Sequence, residues 1–294
     1  TFYKRDSKGN ARRRGIEIVA PKIPQLLEQV EAARDPKGPP VVVFCWRGGL
    51  RSLAITSFLN LAGIPARQLR GGHKIFRKKV SRFFEEENWQ RILVLRGMTG
   101  VGKTQVLQQL AAEGYPVIDL EGLANHRGSA FGALGLDPQP GQKKFEALLW
   151  DRMDQLRDED YLLTEGESLH IGRVVVPKRF HQAMQTETSL WLEASLDYRV
   201  RVILEDYPAL DDLRDAFKAP ILALKERLGN KVVAEMMGLL ERGEWEQLVR
   251  ELMVRYYDPL YTHTLPERRQ EVQFPSFDEG MRELRKVIEV VLDG

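Results

Sequence analysis

The chain has 294 residues, 43% of them hydrophobic and 29% charged, and 44 Lys+Arg against 42 Asp+Glu leave a net charge of +2. That is an ordinary soluble mixture: no apolar run approaches the ~18 residues of a membrane span, no signal peptide is visible, and the overall charge does not by itself announce nucleic acid. The length suggests about two domains, and a single cysteine excludes an intramolecular disulfide and fits a reducing cytoplasm.

The first stretch is basic, with Lys4, Arg5, Lys8, Arg12, Arg13 and Arg14. Ile23–Ala33 carries Leu26, Leu27 and Val30 at helical spacing and predicts an amphipathic helix, ended by the turn from Asp35 to Pro40. Val41 to Cys45 reads as a strand that stops on the cysteine. Arg47, two glycines and Arg51 follow, and Ser52 to Leu61 reads as a helix. A strand, tight loop and helix in this order turn backbone N–H groups and a helix N-terminus towards one point. A thiolate there is stabilised, and Arg47 and Arg51 add positive charge. Cys45, Arg47 and Arg51 are therefore the candidate catalytic residues. The alternative, an inert core thiol, fits less well because Cys45 ends the apolar run and Arg-Gly-Gly-x-Arg follows it at once.

Ile64–Leu69 predicts a second strand, followed by the Arg70-Gly71-Gly72 turn. Basic residues then crowd the segment to Arg82. Arg70, Lys74, Arg77, Lys78 and Lys79 are candidate phosphate-backbone contacts beside the cysteine loop, against the common alternative of a solvated helix face. The acidic run Glu85–Glu87 marks a domain boundary, giving 1–88 and 89–294.

Arg91–Leu95 predicts a short buried strand running into Gly97-Met-Thr-Gly-Val-Gly-Lys-Thr104, with a helix to Ala112 behind it. This is the Gly-x-x-x-x-Gly-Lys-Thr phosphate loop in its required strand–loop–helix context. Gly97, Thr99, Gly100, Val101, Gly102, Lys103 and Thr104 are the candidate phosphate or diphosphate ligands. Loop amides wrap the anion, the Lys103 ammonium reaches the outer phosphate, and the Thr104 hydroxyl suits Mg²⁺ as an optional ion. Strands are expected at Tyr115–Leu120, Tyr161–Thr164 and Thr188–Glu193. Asp119, Glu165 and Glu167 lie where such strands end and are candidate acid/base groups or Mg²⁺ ligands, Glu167 and Ser168 alternatively capping a helix. His126 and Arg127 sit in a glycine-bearing loop. Phe145–Leu156 is expected to be helical. Ser195 caps a helix that carries Arg199 and Arg201, for which exposure is the commoner fate. From Asp211 on, the chain reads as helices, with Tyr256–Tyr261 as an aromatic loop suited to core or interface. The five histidines lack metal-ligand spacing, so no structural metal is expected.

The cysteine loop and the Gly-Gly turn resemble the rhodanese family over residues 13 to 80, although the strand ending in Asp-x-Arg that normally opens such a domain is not present after Thr1, so its N-terminal part is expected to be missing. The two halves in this order resemble the tRNA 2-selenouridine synthase family. The resemblance rests on Cys45-Trp-Arg-Gly-Gly-x-Arg51, Arg70-Gly-Gly-His-Lys-x-Phe-Arg77, the phosphate loop, Asn125-His-Arg-Gly-Ser129, Glu165-x-Glu-Ser168 and Tyr256-Tyr-Asp-Pro-x-Tyr261. It implies an α/β chain: a partial rhodanese-like domain, then a P-loop NTPase-like parallel-sheet domain with a helical C-terminal part. It also implies a cytoplasmic transferase without a permanent cofactor that replaces the sulfur of wobble 2-thiouridine in tRNA with selenium from selenophosphate. The intermediate would be S-geranylated, from geranyl diphosphate, and a selenophosphate-supplying enzyme is an expected partner. Two rival readings remain: a rhodanese-type sulfurtransferase, and an ATP-dependent P-loop kinase with a scaffold rhodanese module.

Overall fold

A computed structural model describes residues 7–207, 210–261, 266 and 268–293. Lys4 and Arg5 of the basic first stretch, and His263, lie outside them. The chain divides into two compact units, Thr1–Ser81 and Arg82–Gly294.

In the first unit, α1 (Lys8–Val19) is a helix without a buried residue, its first turn capped by the Ser7 hydroxyl, which accepts the Asn10 N–H. The basic side chains Arg12, Arg13 and Arg14 are exposed on it. A short 3₁₀ turn leads to α2 (Ile23–Ala33). β1 (Val41–Val43) and β2 (Ala66–Gln68) pair in parallel with Val41 opposite Ala66, and α3 (Leu50–Leu61) makes the crossover. Leu59, Ile64 and Ala66 form the small core, with Leu27 and Val30 of α2 packed on it. α4 (Gly72–Glu86) starts at the second glycine pair, and the division between the units falls inside it.

The second unit is built on five parallel strands. β3 (Arg91–Gly97) is central, between β5 (Tyr161–Glu165) and β8 (Ser189–Glu193), with β4 (Val117–Ile118) and β9 (Arg269–Gln273) at the edges. Every pairing is parallel, with Leu93 opposite Leu163 and Leu95 opposite Leu190. β3 is apolar from Ile92 to Leu95 because both faces are covered. On one face Leu93 and Leu95 meet Val106, Leu107 and Leu110 of α5 (Lys103–Ala112) and Leu284 and Ile288 of α14 (Phe277–Asp293). The other face takes α7 (Gln142–Gln155), which contacts β4, and α8 (Lys178–Thr186), which contacts β3; α6 (Leu120–Ala124) is a short helix after β4. Among the described residues no helix is long and apolar enough to cross a membrane.

Helices α9 (Leu196–Asp206), α10 (Arg214–Ala223), α11 (Lys225–Arg242) and α12 (Trp245–Leu252) gather around Phe217, Ile221, Met236, Leu240 and Leu248. The Ser195 hydroxyl does cap α9, accepting the Tyr198 N–H at 3.2 Å.

Three sequence expectations are corrected here. The C-terminal part is not helical throughout, because Arg269–Gln273 forms β9. It is an edge strand with one buried residue, Val272, so its sequence lacks an apolar signature. Tyr256–Tyr261 is not a loop: a π-helical turn, Met253–Tyr257, continues α12 into α13 (Asp258–Tyr261). Ser168 caps no helix; its hydroxyl donates to the His170 carbonyl at the start of the β6 (His170–Ile171) and β7 (Val174–Val175) hairpin.

Candidate active site

Cys45 follows β1, and the chain turns through Trp46–Gly48 to Gly49, the N-cap of α3. The turn closes against the start of α4. The His73 N–H donates to the Cys45 carbonyl at 3.0 Å and the Lys74 N–H to the Trp46 carbonyl at 2.9 Å. A Cβ on Gly72 (φ +62°) would stand 2.0 Å from the Cys45 carbonyl oxygen, and one on Gly48 (φ +61°) would stand 2.6 Å from the Gly71 nitrogen. The two glycine pairs thus exist for each other: they let two backbones meet under the sulfur.

The Cys45 Sγ accepts hydrogen bonds from the Ser52 hydroxyl and the Gly49 N–H, each at 3.2 Å. The Ser52 hydroxyl is the largest cause of a thiol pKa lowered to about 6, with the amides of Ser52, Gly49 and Arg47 adding to it and desolvation opposing. The sulfur is a half-buried thiolate at neutral pH. Arg47 and Arg51 are exposed, and neither guanidinium is among the causes of the lowered pKa. Ser52 was not singled out in the sequence; a serine in the first turn of the helix behind the loop was the available signal. Of the basic candidates, Arg70, Lys74, Lys78 and Lys79 are exposed and Arg77 is half-buried, with Lys74, Arg77 and Lys78 one turn apart on α4.

In the second unit a cavity of about 690 Å³ opens beyond the C-terminal end of β3. Gly97, Thr99, Gly100, Gly102, Lys103 and Thr104 line it, whereas Val101 is buried in the core and its amide donates to the Met98 carbonyl at 3.3 Å. The Lys103 ammonium folds back to the Gly97 carbonyl at 3.2 Å. Burial alone would lower its pKa, but Tyr261, Glu121, Glu167 and Glu165 outweigh burial and raise it. Lys103 is therefore a cation in place for an anion. Arg96 and Arg127 also line the cavity; Arg127 lies 4.4 Å over the Tyr207 ring and donates to the Leu134 carbonyl.

Of the three acidic candidates only Glu167 lines the cavity. Asp119 caps α6, its carboxylate accepting the Gly122 N–H at 2.6 Å. Glu165 lies beneath, 2% exposed, one oxygen accepting the Glu121 N–H at 2.7 Å and the other without a partner. Burial first, then the charges of Asp119 and Glu121, drives the Glu165 pKa well up. Glu121, which with Asp119 follows β4 where sites collect in such sheets, faces the cavity, accepts the Thr104 hydroxyl at 3.0 Å and hydrogen-bonds Glu167. Burial first, then the Glu121 charge, raises the Glu167 pKa to about 8, so the pair shares a proton at neutral pH. His126 is buried with Nδ1 unpartnered, and burial lowers its pKa, leaving a neutral ring. Among the described residues no three His, Cys, Asp or Glu side chains are placed to hold a metal.

The far wall is aromatic: Trp191 from β8, Tyr207 after α9, and Tyr256, Tyr257, Leu260 and Tyr261 from the last helical turns. The Tyr261 hydroxyl meets the Thr99 hydroxyl at 3.2 Å, and its ring meets Trp191 edge-on at 6.5 Å. Arg199 is not an exposed helix arginine. It is buried, forks onto Asp258 at 2.7 and 2.8 Å, and donates to the Thr99 carbonyl at 3.2 Å.

A family model described as tRNA 2-selenouridine synthase AAA domain matches residues 90–290. The tRNA 2-selenouridine synthase of Shewanella frigidimarina (strain NCIMB 400) is 33% identical over 93% of this chain and 81% of its own length. That of Shewanella denitrificans is 32% identical over 97% of this chain and 86% of its own. Among solved structures, that of TT1252 from Thermus thermophilus aligns with 70% of this chain and all of its own at 15% identity and a TM-score of 0.33.

Asp258→Ala leaves the Arg199 guanidinium buried and unpaired, and a loss of ~3–5 kcal/mol is expected in urea unfolding. The double variant Arg199→Met/Asp258→Leu should recover most of that loss. A second expectation concerns pH. The raised Glu167 pKa means the folded chain holds that proton more tightly than the unfolded one. The resulting stability is full below the ordinary carboxyl value of 4.5 and is lost as pH climbs through about 8. Glu167→Gln should flatten the fall of the urea midpoint across that window.

Proposed function

Because the chain belongs to the tRNA 2-selenouridine synthase family, we propose that it is a transferase that exchanges the sulfur of 2-thiouridine at the tRNA wobble position for selenium supplied as selenophosphate. The observation that carries this reading is the similarity to enzymes of that name over 93% of the chain. The two sites support the roles within it.

The exchange is written in two steps through an S-geranyl-2-thiouridine intermediate. In the first, the thiocarbonyl sulfur attacks C1 of geranyl diphosphate, the C1–O bond breaks, and diphosphate leaves. The phosphate loop fits that leaving group: Lys103 and the amides of Gly100, Gly102 and Lys103 meet charge as it builds on the departing oxygens. The wall of Trp191, Tyr256, Leu260 and Tyr261 offers the apolar surface a ten-carbon prenyl chain needs. In the second step selenium adds at C2 and the geranyl thiol departs, a far better leaving group than sulfide. Cys45 is the carrier for the group that selenium leaves behind: its thiolate, held by the Ser52 hydroxyl and the Gly49 amide, attacks the phosphorus of selenophosphate, the P–Se bond breaks to free the selenide that adds at C2, and water then clears the phosphoryl group from the sulfur as inorganic phosphate. The basic residues Arg70, Lys74, Arg77, Lys78 and Lys79 are assigned to tRNA phosphates, and the exposed Trp46 to stacking on the splayed base. Acting on tRNA, the enzyme works in the cytoplasm.

Nucleoside mass spectrometry of tRNA tests both halves. With Cys45→Ser, 2-selenouridine should disappear while the geranylated nucleoside persists; surviving selenation removes the carrier role. With Lys103→Ala, geranylation should fall by at least ~10²-fold, and an unchanged yield removes the diphosphate assignment.

A further inference from the structure

Gln68, the last residue of β2, is half-buried against the thiol loop. Its amide nitrogen reaches the Gly48 carbonyl at 2.8 Å, the Ser52 hydroxyl at 2.9 Å and the Gly49 carbonyl at 3.1 Å. Two of these partners are carbonyls, which only accept, so the –NH₂ end must face the loop. Ser52 has a single proton and two acceptors in reach: Cys45 Sγ at 3.2 Å and the Gly49 carbonyl at 3.1 Å. Left alone, the hydroxyl would divide between them. Gln68 has two N–H groups for three acceptors, so one is shared; the share that reaches the Gly49 carbonyl weakens its competition for the Ser52 proton, and the bond to the Ser52 oxygen makes that hydroxyl a stronger donor.

We propose that Gln68 is a positioning residue for the Cys45 thiolate: by dividing its two N–H groups among the loop carbonyls and the Ser52 oxygen, it commits the Ser52 proton to Cys45. The proposal deepens the carrier role given to Cys45 above and rests on it for its meaning, but its chemistry is read on the thiol itself. The charged and titratable residues on the segments that meet at the thiol loop are Arg47 and Arg51 from the loop and α3, Arg67 and Arg70 from β2 and the turn after it, and His73 and Lys74 from α4. None is among the hydrogen-bond donors to the sulfur, so the hydroxyl and the amides carry the effect.

Cys45 is the only cysteine, so the rate of iodoacetamide alkylation against pH reports this sulfur alone. The wild-type chain should show a midpoint near 6. Gln68→Met keeps the side-chain size and donates nothing; its midpoint should move towards the roughly 8.5 of an ordinary thiol. Ser52→Ala should do the same, and the double variant should move it no further than Ser52→Ala alone, because Gln68 acts through Ser52. A Gln68→Met chain with wild-type thermal unfolding and an unmoved midpoint overturns the proposal, as do additive shifts in the double variant. Should Gln68→Met unfold early, Gln68→Glu gives the second reading. It accepts but cannot donate above its own pKa, so it should draw the Ser52 proton away and raise the midpoint; an unmoved midpoint there is equally fatal. Loss of the carrier role itself would show separately, as selenation that survives Cys45→Ser.

Discussion

Arg199 is 5% exposed, and its charge is met by one carboxylate, that of Asp258. A guanidinium taken out of water is costly unless both its charge and its N–H groups are answered. Here the fork onto Asp258 answers the charge, Nη1 also donates to the Thr99 carbonyl in the phosphate loop, and only Nε lacks a hydrogen-bond partner among the described residues. α9 therefore cannot part from α13, nor the loop from either, without leaving a bare ion in a low-dielectric interior. Gly100 belongs to the same constraint. At φ +82°, a Cβ there would meet the Arg199 carbonyl oxygen at 2.8 Å and the Met253 methyl at 2.7 Å. The phosphate loop is thus clamped from outside as well as by its own sheet, and the helical turns that clamp it deliver Tyr256, Tyr257 and Tyr261 to the cavity. A π-helical turn at Met253–Tyr257 rotates successive side chains differently from an α-helix, which helps aim these rings.

The thiol site solves a different electrostatic problem by different means. A charge-stabilised sulfur can be made with nearby cations or with short dipoles. This loop uses dipoles: a hydroxyl and backbone amides held at fixed distance by the Gly48–Gly72 contact. Dipoles fixed by the backbone lose little to salt, whereas the field of exposed guanidinium groups is screened within about 10 Å at ordinary ionic strength. Arg47 and Arg51 stay exposed to solvent, and neither donates to the sulfur.

What could be read from the sequence follows from how local each signal is. The phosphate loop was legible because one unbroken run carries the buried strand, the turn and the helix start. Cys45 was legible for the same reason, and so were Ile23–Ala33 and the Ser195 cap. Ser52 and Gln68 were not, since their meaning lies in partners brought by other elements: Gln68 reaches back across about a fifth of the first unit's chain to Ser52. The aromatic wall was missed because tyrosines in a C-terminal stretch look like ordinary core until Thr99 is found beside Tyr261. β9 escaped because an edge strand on a parallel sheet buries only Val272 and otherwise reads as polar chain. Arg199 was misjudged because burial of a charge depends wholly on Asp258, far away in sequence.

The proton balance inside the phosphate-loop cavity fits a ligand that brings its own negative charge. Lys103 is held as a cation by the groups around it, yet burial works against ionising the acids among them: it raises the pKa of Glu121 and Glu165 and lifts that of Glu167 to about 8. Fully ionised, three carboxylates so close to the loop would repel a diphosphate and cancel the attraction of Lys103, Arg96 and Arg127. Burial removes that conflict, since desolvation penalises the charged form and keeps protons on the acids until a compensating charge arrives. The acidic floor beneath the loop is therefore compatible with an anion above it. The buried Glu165 carboxyl also supplies the Glu121 backbone with an acceptor, so it fixes the residue whose own carboxyl reaches Thr104.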